Sequence, residues 1–130
     1  MKQFRNPDTI HAPVGKYTHQ IEVTGLEKLL FIAGQIGMDH EGNLPENALD
    51  QLSIALDNLL LNLEAAHMQI NHVTKMTLYI VGPDMDAAAR REILRSKLGD
   101  HAPTMTLVYV VALANPRIKV EVEAFATLDS

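Results

Sequence analysis

A chain of 130 residues with 47% hydrophobic and 21% charged side chains has the size and make-up of one ordinary globular domain, 1–130. Its formal charge of -5 and its scattered 11 Lys and Arg argue against nucleic acid as a main partner, since phosphate binding needs clustered cations. The absence of cysteine excludes disulfides, thiolate catalysis and zinc–thiolate sites, and fits a reducing cytosol.

The opening stretch MKQFRNPDTIHAPVGKY lacks the apolar core of a secretory leader, and no apolar run approaches the roughly 20 residues of a membrane span. A cytoplasmic protein is therefore expected. Pro7 and Pro13 predict a loop for this opening. Tyr17 to Val23 reads as a strand, Thr24-Gly25 as a turn, and KLLFIAGQI, Lys28 to Ile36, as a second strand, so the two are expected to form a hairpin. A polar loop, MDHEGNLP, follows. Leu49, Leu52, Leu56, Leu59, Leu60 and Leu63 then recur every three or four residues, which predicts a helix from Glu46 to His67.

Val73 to Val81 is rich in β-formers, and Gly82-Pro83 ends it. Asp84 can cap a second helix that runs to Leu98 and closes at Gly99. Thr104 to Leu113 is almost wholly apolar, which predicts a central strand. Arg117 to Ala126 alternates, with Ile118, Val120, Val122, Ala124 and Ala126 on one face and Lys119, Glu121, Glu123 and Phe125 on the other. The order β-β-α-β-α-β-β predicts an α+β fold, a mixed sheet with two helices on one face. Tyr79, Tyr109 and Phe125 would stand on the other face, and such a face often needs a partner subunit.

Three clusters carry candidate chemistry. Glu121 and Glu123 share a strand face about 7 Å apart, where mutual proximity or partial burial raises a carboxyl pKa and suits it to proton transfer; the plainer reading is a solvated face with Glu121 offset by Lys119. In GKYTHQ, Gly15 to Gln20, Lys16 can hold an anion and Tyr17 can donate a hydrogen bond, unless this is only a surface loop with one buried tyrosine. In AGQIG, Ala33 to Gly37, the glycines permit close approach of some group, or mark a bulged strand end. The six histidines show no metal-ligand spacing, and no serine sits in a Gly-x-Ser-x-Gly turn.

Four segments carry motifs of one kind. GKYTHQIEV is similar to a Gly-Pro-Tyr-Ser-Gln motif, and LLFIAGQIGMD to an apolar run ending in Ser-Gly-Gln-Ile-Pro. VTKMTLYIVGPDM resembles Val-Lys-x-Thr-Val-Tyr-Leu-x-Asp-Met. APTMTLVYVVALANPRIKVEVEAFA resembles Pro-Ala-Arg-Ser-x-Val-x-Val-x-x-Leu followed by Val-Glu-Ile-Glu-Ala-Ile-Ala. Together they resemble the Rid/YjgF family, the reactive intermediate deaminases, also labelled endoribonuclease L-PSP or translation initiation inhibitors, and the likeness covers nearly the whole chain.

The resemblance implies a chorismate-mutase-like subunit, a homotrimer with small-molecule pockets at its interfaces, and hydrolysis of enamines or imines such as 2-iminobutanoate to 2-oxo acids and ammonia. It implies no metal or organic cofactor. By position, Tyr17, Gly34 and Gln35 would line the pocket, Glu123 would position or activate water, and Leu107 stands where the family often has Cys, with only its backbone able to assist. Thr106 would line the pocket beside it, and Glu121 would be Glu123's structural partner. Met105 replaces an Arg that grips the substrate carboxylate, a loss of about 2–5 kcal/mol in a desolvated site. Lys16 replaces the motif proline, and Lys16 or Arg117 could restore the missing charge. The acidic balance counts against the ribonuclease label, and a non-catalytic binding trimer is the alternative to a deaminase.

Overall fold

A computed structural model describes all residues, Met1–Ser130. The strands are β1 (Lys2–Arg5), β2 (Gln20–Val23), β3 (Leu26–Ile36), β4 (Val73–Val81), β5 (Thr104–Val110) and β6 (Val120–Asp129). The helices are α1 (Ala48–Ala65) and α2 (Ala87–Leu98), with one 3-10 turn at Ile70–His72. Helix α1 starts two residues later than predicted because Asn47 is its cap, its side chain accepting from the N–H groups of Leu49 (2.8 Å) and Asp50 (3.2 Å). Helix α2 is capped by Asp86 rather than Asp84, and Gly99, at φ 62°, ends it as expected.

The main sheet runs β3-β6-β4-β5, antiparallel except for the parallel pair β4–β5. Two expectations are corrected here. The stretch from Tyr17 to Ile36 is not a hairpin: β2 pairs with β1 in a separate two-stranded ribbon, while β3 pairs with β6. The opening is thus partly strand, held by an ion pair between Arg5 and Glu22 (2.5 Å) and by Thr24 N–H donating to the Met1 carbonyl (2.8 Å). Gly25, at φ 67°, swings the chain from the ribbon into the main sheet instead of folding it back.

The apolar strand Thr104–Val110 is an edge strand within the subunit, and the alternating strand β6 is the one enclosed by neighbours. The apolar run had two claims on it. Met105 and Leu107 pack toward the helices beside Met76 and Leu78, whereas Val108 faces outward and is 37% exposed.

The core lies between α1 and the sheet. Leu52, Leu56, Leu59 and Leu63 are fully buried against Ile32, Met76, Leu78, Val122 and Ala124. Each such side chain contributes about 1.5–3 kcal/mol by leaving water. Gln51, also fully buried, joins α1 to the strand ends: its Nε2 donates to the carbonyls of Pro45 (2.7 Å) and Arg117 (3.0 Å), and its Oε1 accepts from Lys119 N–H (2.8 Å).

The opposite sheet face carries Leu29, Phe31, Phe125 and Val108. Phe31 and Phe125 stack edge to face at 5.1 Å yet remain 68% and 42% exposed. Tyr109, expected on this face, lies on the helix side, where its hydroxyl accepts from Arg90 (3.1 Å). An exposed apolar face of this kind is unusual on a lone subunit.

Candidate ligand-binding site

A cleft of about 620 Å³ opens between the Val14–Tyr17 loop, α2 and β5. Its floor is Met105, Leu107, Leu94 and Leu98; its walls include Val14, Lys16, Tyr17, Arg90, Arg91 and Arg95. The cleft exists because β5 ends the sheet, so that its helix-side residues are covered on one flank only.

The loop is anchored from several directions. Thr18, buried, donates its hydroxyl to the Ala102 carbonyl (2.5 Å) and its N–H to that of Pro103 (3.2 Å). The Tyr17 ring meets that of His19 edge to face at 5.4 Å, and His19 in turn meets His11 at 5.0 Å. The Tyr17 hydroxyl accepts from Val14 N–H (3.3 Å), and Lys16 Nζ donates to the Gly99 carbonyl at the C-terminal end of α2. A cation at that end is favoured by the helix dipole.

Four predicted residues therefore meet in one cleft: Lys16, Tyr17, Met105 and Leu107. The others lie elsewhere within the subunit. Thr106 points to the opposite face, where its hydroxyl accepts from Lys75 (2.6 Å). Gln35 lies on β3, the edge of the sheet opposite β5, paired with Val122 and with its amide donating to the Ala33 carbonyl (2.9 Å). Arg117 is remote, reaching the Leu44 carbonyl (3.3 Å), which leaves Lys16 as the nearer of the two proposed substitutes for the missing charge.

Glu123 pairs in register with Thr77, one row along from Met105 and on the outer face. It accepts a hydrogen bond from the Tyr79 hydroxyl at 2.6 Å. That bond holds the Tyr79 proton above its ordinary pKa of 10.0, with partial burial and then the charges of Glu123 and Glu121 adding to the effect. Lys119 does not offset Glu121, because its ammonium is turned to the Pro116 carbonyl (3.0 Å).

Glu121 instead lies over Gly34. A Cβ at that position would stand 2.6 Å from the Glu121 carboxyl carbon, so the glycine is what admits the side chain. The carboxylate makes no hydrogen bond or ion pair within the chain, so the expected salt bridge of Glu121 is not formed within the subunit. Gly37 serves another purpose: a Cβ there would stand 2.5 Å from the Gln51 carbonyl oxygen, so this glycine seats α1 on the sheet. No group of three His, Asp or Glu side chains is arranged to hold a metal ion.

The arginines were visible in the sequence as its densest basic group, but nothing in the spacing said that they face Met105. Arg90, Arg91 and Arg95 lie along α2 with Leu94 and Leu98, and only the packing of α2 over β5 makes them a wall.

The two-helix α+β fold with this mixed sheet is shared with a known class of small proteins. The endoribonuclease L-PSP family matches residues 9–128, and the chain belongs to that family, the Rid/YjgF proteins. A RutC family protein of Pyrococcus horikoshii is 33% identical over 129 residues, covering 97% of this chain and 98% of its own. The 2-iminobutanoate/2-iminopropanoate deaminase of Mus musculus is 30% identical over 118 residues, covering 88% of this chain and 83% of its own. Among solved structures, the Rid family protein YyfB of Yersinia pestis superposes with a TM-score of 0.86 at 27% identity, covering 98% of both chains.

Proposed function

We propose that this chain is a Rid-type hydrolase-like protein whose α2–β5 cleft receives a small imine or enamine. Water adds to the C=N carbon, the C–N bond then breaks, and ammonia leaves with a carbonyl product. The observation that carries this reading is the similarity to a 2-iminobutanoate/2-iminopropanoate deaminase across 88% of the chain. Tyr17 shapes the cleft, and the backbone of Thr106 and Leu107 offers groups along its floor.

The carboxylates act from the outer sheet face, which requires a neighbouring subunit. We place a homotrimer there, its interface built on Phe31, Phe125, Leu29 and Val108, so that the outer face of one subunit closes the cleft of the next. Their exposure supports this assembly. Within it, Glu123 orients water with Tyr79 holding it in place, and Glu121, unpartnered beside Gly34, is the carboxylate free to accept from that water. The protein works in the cytoplasm, with no metal or organic cofactor.

A second reading, a binding trimer without turnover, is favoured by Met105, which offers only a soft apolar contact where a substrate carboxylate needs an oriented donor pair. Coupled measurement of ammonia released from freshly generated 2-iminobutanoate separates the two, with wild type and Met105→Arg compared. Little release by wild type and a clear gain in the variant is the expected result. Strong wild-type turnover shows that Met105 is no handicap, and silence in both selects the binding protein. Light scattering after gel filtration should give three times the 14.4 kDa subunit mass; a monomer refutes the shared site.

A further inference from the structure

The α2–β5 cleft has an unusual charge for this chain. The protein is acidic, at -5, yet the cleft gathers Lys16, Arg90, Arg91 and Arg95 against the single carboxylate of Glu92, a formal surplus of three positive charges. Four of the 11 cations of the whole chain thus stand around one opening.

Local structure accounts for part of the set. Arg95 is ion-paired with Glu92, Arg90 donates to the Tyr109 hydroxyl, and Lys16 donates to the Gly99 carbonyl. The last two contacts are to neutral groups and leave the charges uncompensated. Arg91 has no partner within the chain. It also sits four residues before Arg95, on the same side of α2, where like charges repel and weaken the helix.

A half-enclosed cleft with low-dielectric walls focuses the field of such charges and concentrates anions. Guanidinium adds geometry to charge, since its planar fork binds a carboxylate through two parallel bonds. The floor of Met105, Leu107 and Leu94 is apolar, so the ligand body between its anionic ends is hydrocarbon. The second cavity of the molecule, about 320 Å³, has the opposite character, with Glu46, Asp84 and Asp86 against Lys119. An anion is steered to the first and repelled by the second.

We propose that the α2–β5 cleft selects a small organic dianion, a dicarboxylate with a short hydrocarbon spine, and that Arg91 is the residue that sets this selectivity. One carboxylate is taken by Arg91 on the wall of α2. The other lies toward Lys16 and Arg90, and the spine rests on Met105 and Leu107. A monocarboxylate leaves two of the three surplus charges unanswered, and an uncharged molecule leaves all of them. This rests on the reading of the cleft as the ligand site, and extends it by naming the class of molecule the site prefers.

The test is calorimetric titration of the intact protein with 2-oxopentanedioate and 2-oxopentanoate, which share a five-carbon chain and differ in one terminal carboxylate. The dianion should bind about tenfold more tightly or better, and that margin should shrink as salt is raised. Arg91→Ala should bring the two affinities together, Arg91→Lys should keep part of the margin, and Glu92→Gln, which removes the opposing carboxylate, should widen it. The last is a gain that no folding defect can produce. Equal affinity for both acids, no binding of the dianion, or an Arg91→Ala variant with its margin intact overturns the proposal. Ammonia release is measured separately: dianion selectivity without turnover sinks the hydrolase reading alone, and turnover without dianion selectivity sinks this one alone.

Discussion

Replacing Gln51 by Leu tests how α1 is held on the sheet. The side chains are close in volume, so the core stays filled, but three hydrogen bonds of 2.7, 3.0 and 2.8 Å are lost together. Each is a bond between neutral groups, with a net contribution of about 1 kcal/mol. Their loss also leaves the carbonyls of Pro45 and Arg117 and the N–H of Lys119 facing an apolar side chain, and an orphaned buried group costs about 1–3 kcal/mol where water cannot reach it. Partial rehydration at the strand end relieves some of this, which brings the expected loss to about 3–5 kcal/mol, a large share of the 5–15 kcal/mol typical of a domain. Urea unfolding followed by far-UV circular dichroism is the suitable assay, because the chain has no Trp for fluorescence. With a slope of about 2 kcal/mol/M, the midpoint should fall by about 1.5–2.5 M while the slope is unchanged. Gln51→Glu should be no milder, since it aims a buried carboxylate at two carbonyl oxygens. A loss under about 1 kcal/mol for Gln51→Leu would show that water or backbone adjustment replaces these bonds, and the assigned role of Gln51 would be wrong.

The two glycines of the AGQIG stretch should separate under substitution. Gly37→Ala drives a methyl into the backbone of α1 and should cost about 3 kcal/mol or more in the same unfolding assay, whereas Gly34→Ala meets only the Glu121 side chain, which can swing away, and should cost far less while disturbing ligand binding. Equal losses would contradict that division. Asn47→Ala removes the α1 cap and should lower stability by about 1 kcal/mol; no change in the unfolding midpoint would refute the cap. Stability should also fall on mild acidification. Burial lowers the pKa of both His101 and His72 below the ordinary 6.5, so the unfolded chain takes up protons first; their full contribution is present above pH 6.5 and is lost as pH drops toward the folded values. His101 donates to the Val73 carbonyl at 2.7 Å, so His101→Gln keeps a donor there and should flatten the slope of midpoint against pH between 7 and 5. An unaltered slope would assign the acid sensitivity to other groups.

Much of this protein is legible in its residues alone. Leucine spacing marks α1 to within two residues of each end, and Gly99 marks the end of α2. Strict alternation tells which side of β6 is core and which is carboxylate, because a strand offers its two faces by turns whatever it pairs with. The four motifs lead to the same family that matches residues 9–128.

Pairing was beyond the sequence. A short polar strand such as β2 can join either neighbour, and the choice of β1 followed from the turn at Gly25 and from contacts with the first residues of the chain. The apolar run of β5 read as central because both of its faces are hydrophobic. Periodicity cannot distinguish a strand covered by its own sheet from an edge strand left with an uncovered apolar face. The same limit applied to the site. Tyr17, Lys16, Met105 and Leu107 meet in one cleft, while Glu123 stands on the reverse of the sheet, since neighbouring positions on paired strands alternate between opposite faces. Whether three arginines on a helix face solvent or a binding cleft depends on the element they pack over. Local chemistry along the chain determined what each segment is; the distances between segments, closed only by tertiary packing, decided which of its charges could meet a ligand together.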